Sequence, residues 1–225
     1  MKVRELFETQ VPIYNGDIKV PQDWKDLSGL PELFPGYTAG CKVTGDFDCS
    51  ECKSLTSLKG GPIHVDGNFY CRQCKSLTSL EGAPQSVSGY FDCQGCTSLR
   101  SLEGAPQEVG KSFVCTKCSS LTSLKGAPQS VSGNFVCIGC TSLTSLKGIG
   151  KEYLLEVDSY IDLNGCRELK SHMLGILLIK KIKHIYFNVD IEVQNIINKH
   201  LRGDRDILEC QEEFITHGLK EYAKL

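Results

Sequence analysis

A phrase of 22 residues returns five times between Gly45 and Gly148, and no other property of the chain limits its fold as tightly. Cys-x-x-Cys pairs recur at 49/52, 71/74, 93/96, 115/118 and 137/140. Each has Phe two positions before its first Cys and Leu-x-x-Leu after its second. One such unit cannot bury its apolar face alone, so copies must stack and share a core. The expectation is a single α/β repeat solenoid.

Inside each copy, Phe-x-Cys alternates with period two, which makes a short strand with Phe and Cys on one face. Gly and Pro, as at Gly82 and Pro84, turn the chain back for the next strand. Each coil therefore has one strand, one bend and one irregular return. Stacked coils give a parallel sheet of about six or seven strands with an irregular convex side. A degenerate sixth copy, Ile161 to Leu169, has Leu163 in place of the first Cys, and Ile185 to Phe187 reads as a seventh strand. Between them Leu174, Leu177, Leu178 and Ile182 fit a helix on the outer side.

Both ends break the period and read as caps. Ile13-Tyr14-Asn15-Gly16-Asp17-Ile18 has the residues of a type I′ turn between apolar flanks and predicts a β-hairpin. Residues 21 to 27 suit a short helix with Trp24 and Leu27 on one side. Leu27-Ser-Gly-Leu30-Pro is a worn copy of the Leu-Thr-Ser-Leu phrase. Near the other end, Asp190 is placed to cap a helix bearing Val193, Ile196, Ile197 and Leu201 and stopped by Gly203. Asp206 is placed to cap a second with Ile207, Cys210, Phe214 and Tyr222. The division is an N-terminal hairpin cap at 1–44, a solenoid at 45–189 (regular over 45–148, degenerate over 149–189), and a C-terminal helical cap at 190–225.

The run Phe-x-Cys-x-x-Cys-x-x-Leu-Thr-Ser-Leu lies on the framework Leu-x-Leu-x-x-Asn/Cys-x-x-Leu, and from residue 45 to about 170 the chain resembles leucine-rich-repeat proteins. The resemblance implies that Cys52, Cys74, Cys96, Cys118 and Cys140 face inward and bond the loop backbone. Leu-Thr-Ser-Leu-Glu-Gly-Ala-Pro is similar to short arrays encoded by bacteriophages. That likeness implies a viral protein in the host cytoplasm that occludes a host or defence protein.

Several functions are disfavoured. A formal net charge of -2 with interspersed signs offers no footprint for nucleic acid. No apolar run is long enough to cross a membrane, and the first residues are too acidic for an export signal, so the expected setting is cytoplasmic. There the thirteen cysteines stay as thiols or bind metal. Their spacing satisfies a zinc-ribbon pattern, which leaves a zinc-stabilised module as one alternative. Against it, five pairs cannot be grouped two by two, and Leu163 removes a ligand from the sixth copy; the expectation is a packed thiol ladder with no metal and no cofactor. An enzyme with chemistry in the C-terminal part is another alternative. Yet Cys210 and His217 lie two helical turns apart, roughly 10 Å along the axis, and His64 sits in a turn beside Pro62. The chain is therefore read as non-catalytic.

The positions that differ between copies flank the strand and point away from the core. They nominate Asp48, Tyr70, Arg72, Tyr90, Asp92, Val114, Val136, Ile138, Tyr160 and Asp162 as a concave face for a protein partner, acidic and aromatic low in the array and apolar around Val114, Val136 and Ile138.

Overall fold

The computed structural model describes residues 11–147, 149, 150, 152, 154, 156–169, 173–187, 191–202 and 205–223. The chain winds as a parallel β-solenoid whose coils have three sides. Phe47–Asp48, Phe69–Tyr70, Phe91–Asp92, Phe113–Val114, Phe135–Val136 and Tyr160–Asp162 lie in an eight-stranded parallel sheet, which runs from Ile18–Lys19 at one end to His184–Tyr186 at the other. The expected one-strand coil is corrected here, because the return holds a second strand. Lys42–Val43, His64–Val65, Ser86–Val87, Glu108–Val109, Ser130–Val131 and Glu156–Val157 join Ile13–Tyr14 in a seven-stranded parallel sheet. Each of these strands buries only its Val, and the first only half-buries Tyr14, too little apolar pattern to show period two.

The third side carries the second Cys and both Leu residues. It is laced between coils by bonds such as Leu58 N–H to Glu81 O at 3.2 Å and Leu102 N–H to Lys125 O at 2.8 Å. All three sides point into one core. At its centre Phe47, Phe69, Phe91, Phe113 and Phe135 stack with ring centroids 5.0 to 5.3 Å apart and planes within 7° of parallel. Identical residues one coil apart must stack in this way once the strands are in register. Such pairs add about 0.5–1.5 kcal/mol each beyond their buried area.

The expected N-terminal hairpin does not form. Ile13–Tyr14 pairs in parallel with Lys42–Val43, and Ile18–Lys19 with Phe47–Asp48, so the two strands belong to different sheets. Asn15-Gly16 still turns the chain, with Gly16 at φ 123°, but at a corner of the solenoid. Pairing with the next coil buries Ile18, and this outweighs the local turn preference. Residues 21 to 27 form turns rather than a helix; the short helix here is α1, Leu30–Leu33. Leu27 and Leu30 are both buried, and Leu27 N–H bonds Lys59 O as Leu58 N–H bonds Glu81 O.

At the far end a 3-10 helix, Met173–Leu178, buries Leu174 and Leu177, and helices α2, Ile191–Arg202, and α3, Ile207–Thr216, pack beside it. The Asp206 carboxylate caps α3, accepting from Leu208 and Glu209 N–H at 2.8 and 3.0 Å. The expected cap Asp190 and stop Gly203 lie outside the described residues.

Candidate interaction face and cysteine ladder

The register of the eight-stranded sheet lines up Lys19, Asp48, Tyr70, Asp92, Val114, Val136, Asp162 and Tyr186 in one outward column. Arg72 and Ile138 stand two residues further along their coils, and Tyr90 and Tyr160 two residues before. All ten nominated residues thus flank one sheet. Three of them also have a backbone duty. Asp48, Asp92 and Asp162 each accept the N–H two residues on, from Ser50, Gln94 and Asn164, at 2.8, 2.9 and 3.0 Å. These carboxylates finish the strand where the chain bends towards the second Cys.

Asp92 is only 7% exposed, and its second oxygen accepts from Arg72 Nε at 2.6 Å. The Arg72 guanidinium in turn lies 4.3 Å from the centre of the Tyr70 ring. Tyr70, Arg72 and Asp92 therefore form one preassembled unit across two coils, with the Arg held by a charge-assisted bond below and a π face beside it. Asp48 is ion-paired with Lys19. Burial opposes ionisation of Asp48, but Lys19 and the Ser50 N–H outweigh it and hold the carboxyl below its ordinary value.

Sequence reasoning missed a ladder at the adjoining corner. Asp17 accepts from Asp46 N–H, Asp46 from Asn68 N–H, Asn68 from Tyr90 N–H, and Ser112 from Asn134 N–H, at 2.7 to 3.0 Å. The signal was present, since this position holds short acceptors in most copies. A Tyr side chain cannot act as such an acceptor. The Tyr90 ring instead stands out, 41% exposed, with Lys111 Nζ 5.2 Å from its centre. Tyr160 meets Tyr186 edge-on at 5.4 Å.

Under this face the thiols form their own ladder. The second Cys of a coil donates to the carbonyl of the first Cys one coil earlier: Cys74 to Cys49, Cys96 to Cys71, Cys118 to Cys93, Cys140 to Cys115 and Cys166 to Cys137, at 3.1 to 3.3 Å. Cys52 donates to Pro21 O at 3.3 Å. The strand ends at each of these carbonyls, so sheet pairing leaves it open and the thiol fills the place. All thirteen cysteines are free and buried. Burial pushes the Cys49 and Cys115 thiols well up and those of Cys52 and Cys210 up to about 12. Among the described residues, Cys115, Cys137 and Cys140 form the one group of three ligand atoms within 4.8 Å of one another, and no fourth ligand joins it to complete the zinc tetrahedron.

The other candidates are dispersed. Cys210 packs inward on α3, while His217 pairs with Glu192 on α2. His64 lies in a strand rather than the expected turn, with Nδ1 2.8 Å from Ser86 Oγ on the outer side of the seven-stranded sheet. No helix among the described residues is long and apolar enough to cross a membrane. No protein-family profile, curated protein or solved structure matches the chain.

Proposed function

We propose that the chain is a non-catalytic binding module whose protein partner docks on the outer face of the eight-stranded sheet. The observation that carries this reading is the Tyr70–Arg72–Asp92 unit beside the exposed ring of Tyr90. Tyr and Arg are the residue types that most often anchor protein interfaces. Here they are fixed before any partner arrives, which lowers the ordering cost of association. Val114, Val136 and Ile138 are half-buried along the same face and extend it with apolar surface. The finer reading is a leucine-rich-repeat-type array made by a bacteriophage, occluding a host or defence protein in the host cytoplasm; it rests on the likeness of the repeat phrase.

The test is affinity capture from bacterial lysate under reducing conditions, comparing the native chain with a Tyr70→Ala, Arg72→Ala, Tyr90→Ala variant shown by circular dichroism to be folded. A protein held by the native chain and released by the variant supports the face. Equal retention by both removes it from consideration.

A further inference from the structure

Three sulfurs meet inside the solenoid between the fourth and fifth regular coils. Cys115, Cys137 and Cys140 lie within 4.8 Å of one another, all buried, with Cys137 Sγ and Cys140 Sγ 3.2 Å apart. Cys140 also donates to Cys115 O at 3.1 Å; a coil away, Cys93 and Cys118 bond Val114 O at 3.4 Å and Cys93 O at 3.3 Å without joining a group of three close sulfurs among the described residues. A pyramidal centre bonded to three sulfurs at about 2.3 Å each, with angles of about 90–100°, needs them about 3.3–3.5 Å apart. Small side-chain rotations reach that spacing.

Charge selects what the centre is. The three sulfurs belong to the continuous apolar core, and the leading influences on Cys115 and Cys137 are burial and other cysteines, with no basic side chain among them. Three thiolates on a monovalent ion leave two negative charges and on a divalent ion leave one, and an uncompensated buried charge is strongly disfavoured. A divalent zinc ion also asks for a fourth ligand. A trivalent centre has neither defect, because its three-sulfur complex is neutral and complete.

We propose that Cys115, Cys137 and Cys140 form a three-sulfur site for a trivalent thiophilic centre, taken up as arsenous acid. As(OH)3 and three Cys–SH give As(S–Cys)3 and three H2O. Three As–O and three S–H bonds break, three As–S bonds form, and each departing hydroxide leaves with a thiol proton. Arsenic stays trivalent throughout, so no oxidant or reductant takes part. Soft sulfur ligands suit such a centre.

The experiment incubates the reduced full-length protein with arsenite, followed by native mass spectrometry and arsenic X-ray absorption. The expected result is one arsenic per chain, a mass gain of one arsenic less three hydrogens, and three sulfur neighbours with no oxygen. Cys137→Ala should abolish uptake while Cys210→Ala retains it. Two sulfurs and one oxygen around arsenic would overturn the site, as would several arsenics per chain or uptake that survives Cys137→Ala. The sulfur count is measured on the native chain, so it decides the matter even if Cys137→Ala does not fold.

Discussion

The Cys96 thiol donates to the carbonyl oxygen of Cys71 across one coil at 3.1 Å, and both residues are fully buried. This bond gives the Cys-x-x-Cys phrase a structural role that needs no metal. The first cysteine is a small apolar residue on the strand, and the second closes the carbonyl left open where that strand stops. Cys96→Ala removes the donor and should cost about 1–3 kcal/mol, the usual penalty for an orphaned buried polar group. Cys96→Ser keeps a donor at the same place and should lose less. Urea unfolding of the two variants makes the comparison; equal losses would show that the thiol only fills space.

Burial also sets how the thiols respond to pH. For Cys52 and Cys210 the folded value rises from the ordinary 9.0 to about 12. Below pH 9 the thiol is protonated in both states and its contribution to stability is complete. Above that, the unfolded chain releases a proton that the folded chain retains, and the contribution drains away until about pH 12. The midpoint of urea unfolding should therefore hold steady to about pH 8.5 and then fall steadily. At neutral pH a bulky alkylating reagent, unlike a small inorganic acid, should find almost no accessible cysteine until urea exposes them, because all thirteen are buried. Rapid modification of the folded chain, or a flat alkaline profile, would contradict this account.

The parts of the fold legible in the sequence were those set by neighbours along the chain. Phe-x-Cys announces its strand because two inward residues alternate within three positions. The Cys74-to-Cys49 type of contact was legible only through the likeness to a known repeat framework. The strands at Val65, Val87 and Val109 were hidden, since a single inward residue between Pro and Gly carries no period. The corner ladder from Asp46 to Asn68 to Tyr90 was hidden for another reason: each step spans 22 residues, so the acceptors look like tolerated variation until the coils are stacked. Asn15-Gly16 misled in the opposite sense. Its turn chemistry is correct, but the partners of Ile13 and Ile18 come from the next coil.

The residue before the second Cys adopts left-handed backbone in every copy: Glu51, Gln73 and Lys117 at φ 64°, 58° and 59°, and Gly95, Gly139 and Gly165 at 74°, 70° and 77°. A side chain there carries a cost of roughly 1–2 kcal/mol. At Gly139 an added Cβ meets nothing nearer than Lys117 Cγ at 3.7 Å, so Gly139→Ala isolates the backbone effect. It should destabilise by about 1 kcal/mol, while Lys117→Gly should stabilise by a few tenths, since glycine's extra freedom in the unfolded chain offsets part of the gain. Thermal unfolding of both variants checks the pair, and shifts of the same sign would refute the assignment.

Gln194 on α2 addresses the last strand as if it were another strand. Its Oε1 accepts from Phe187 N–H at 3.0 Å, and its Nε2 donates to Ile185 O at 2.7 Å. A side-chain amide thus supplies the donor and acceptor that a further coil would have brought, at the edge where a growing sheet would otherwise recruit a second chain. Gln194→Leu keeps the approximate bulk and removes both bonds. Two consequences should follow together: the Phe187 amide should exchange its hydrogen faster, and the variant should self-associate with concentration in gel filtration while the native chain does not. Helix α2 still packs against the strand through contacts that do not involve this amide, so the rest of the solenoid should keep its circular dichroism. If the Phe187 amide exchanged at its native rate in the variant, the edge would be protected by that packing alone and the Gln194 amide would not be its cap.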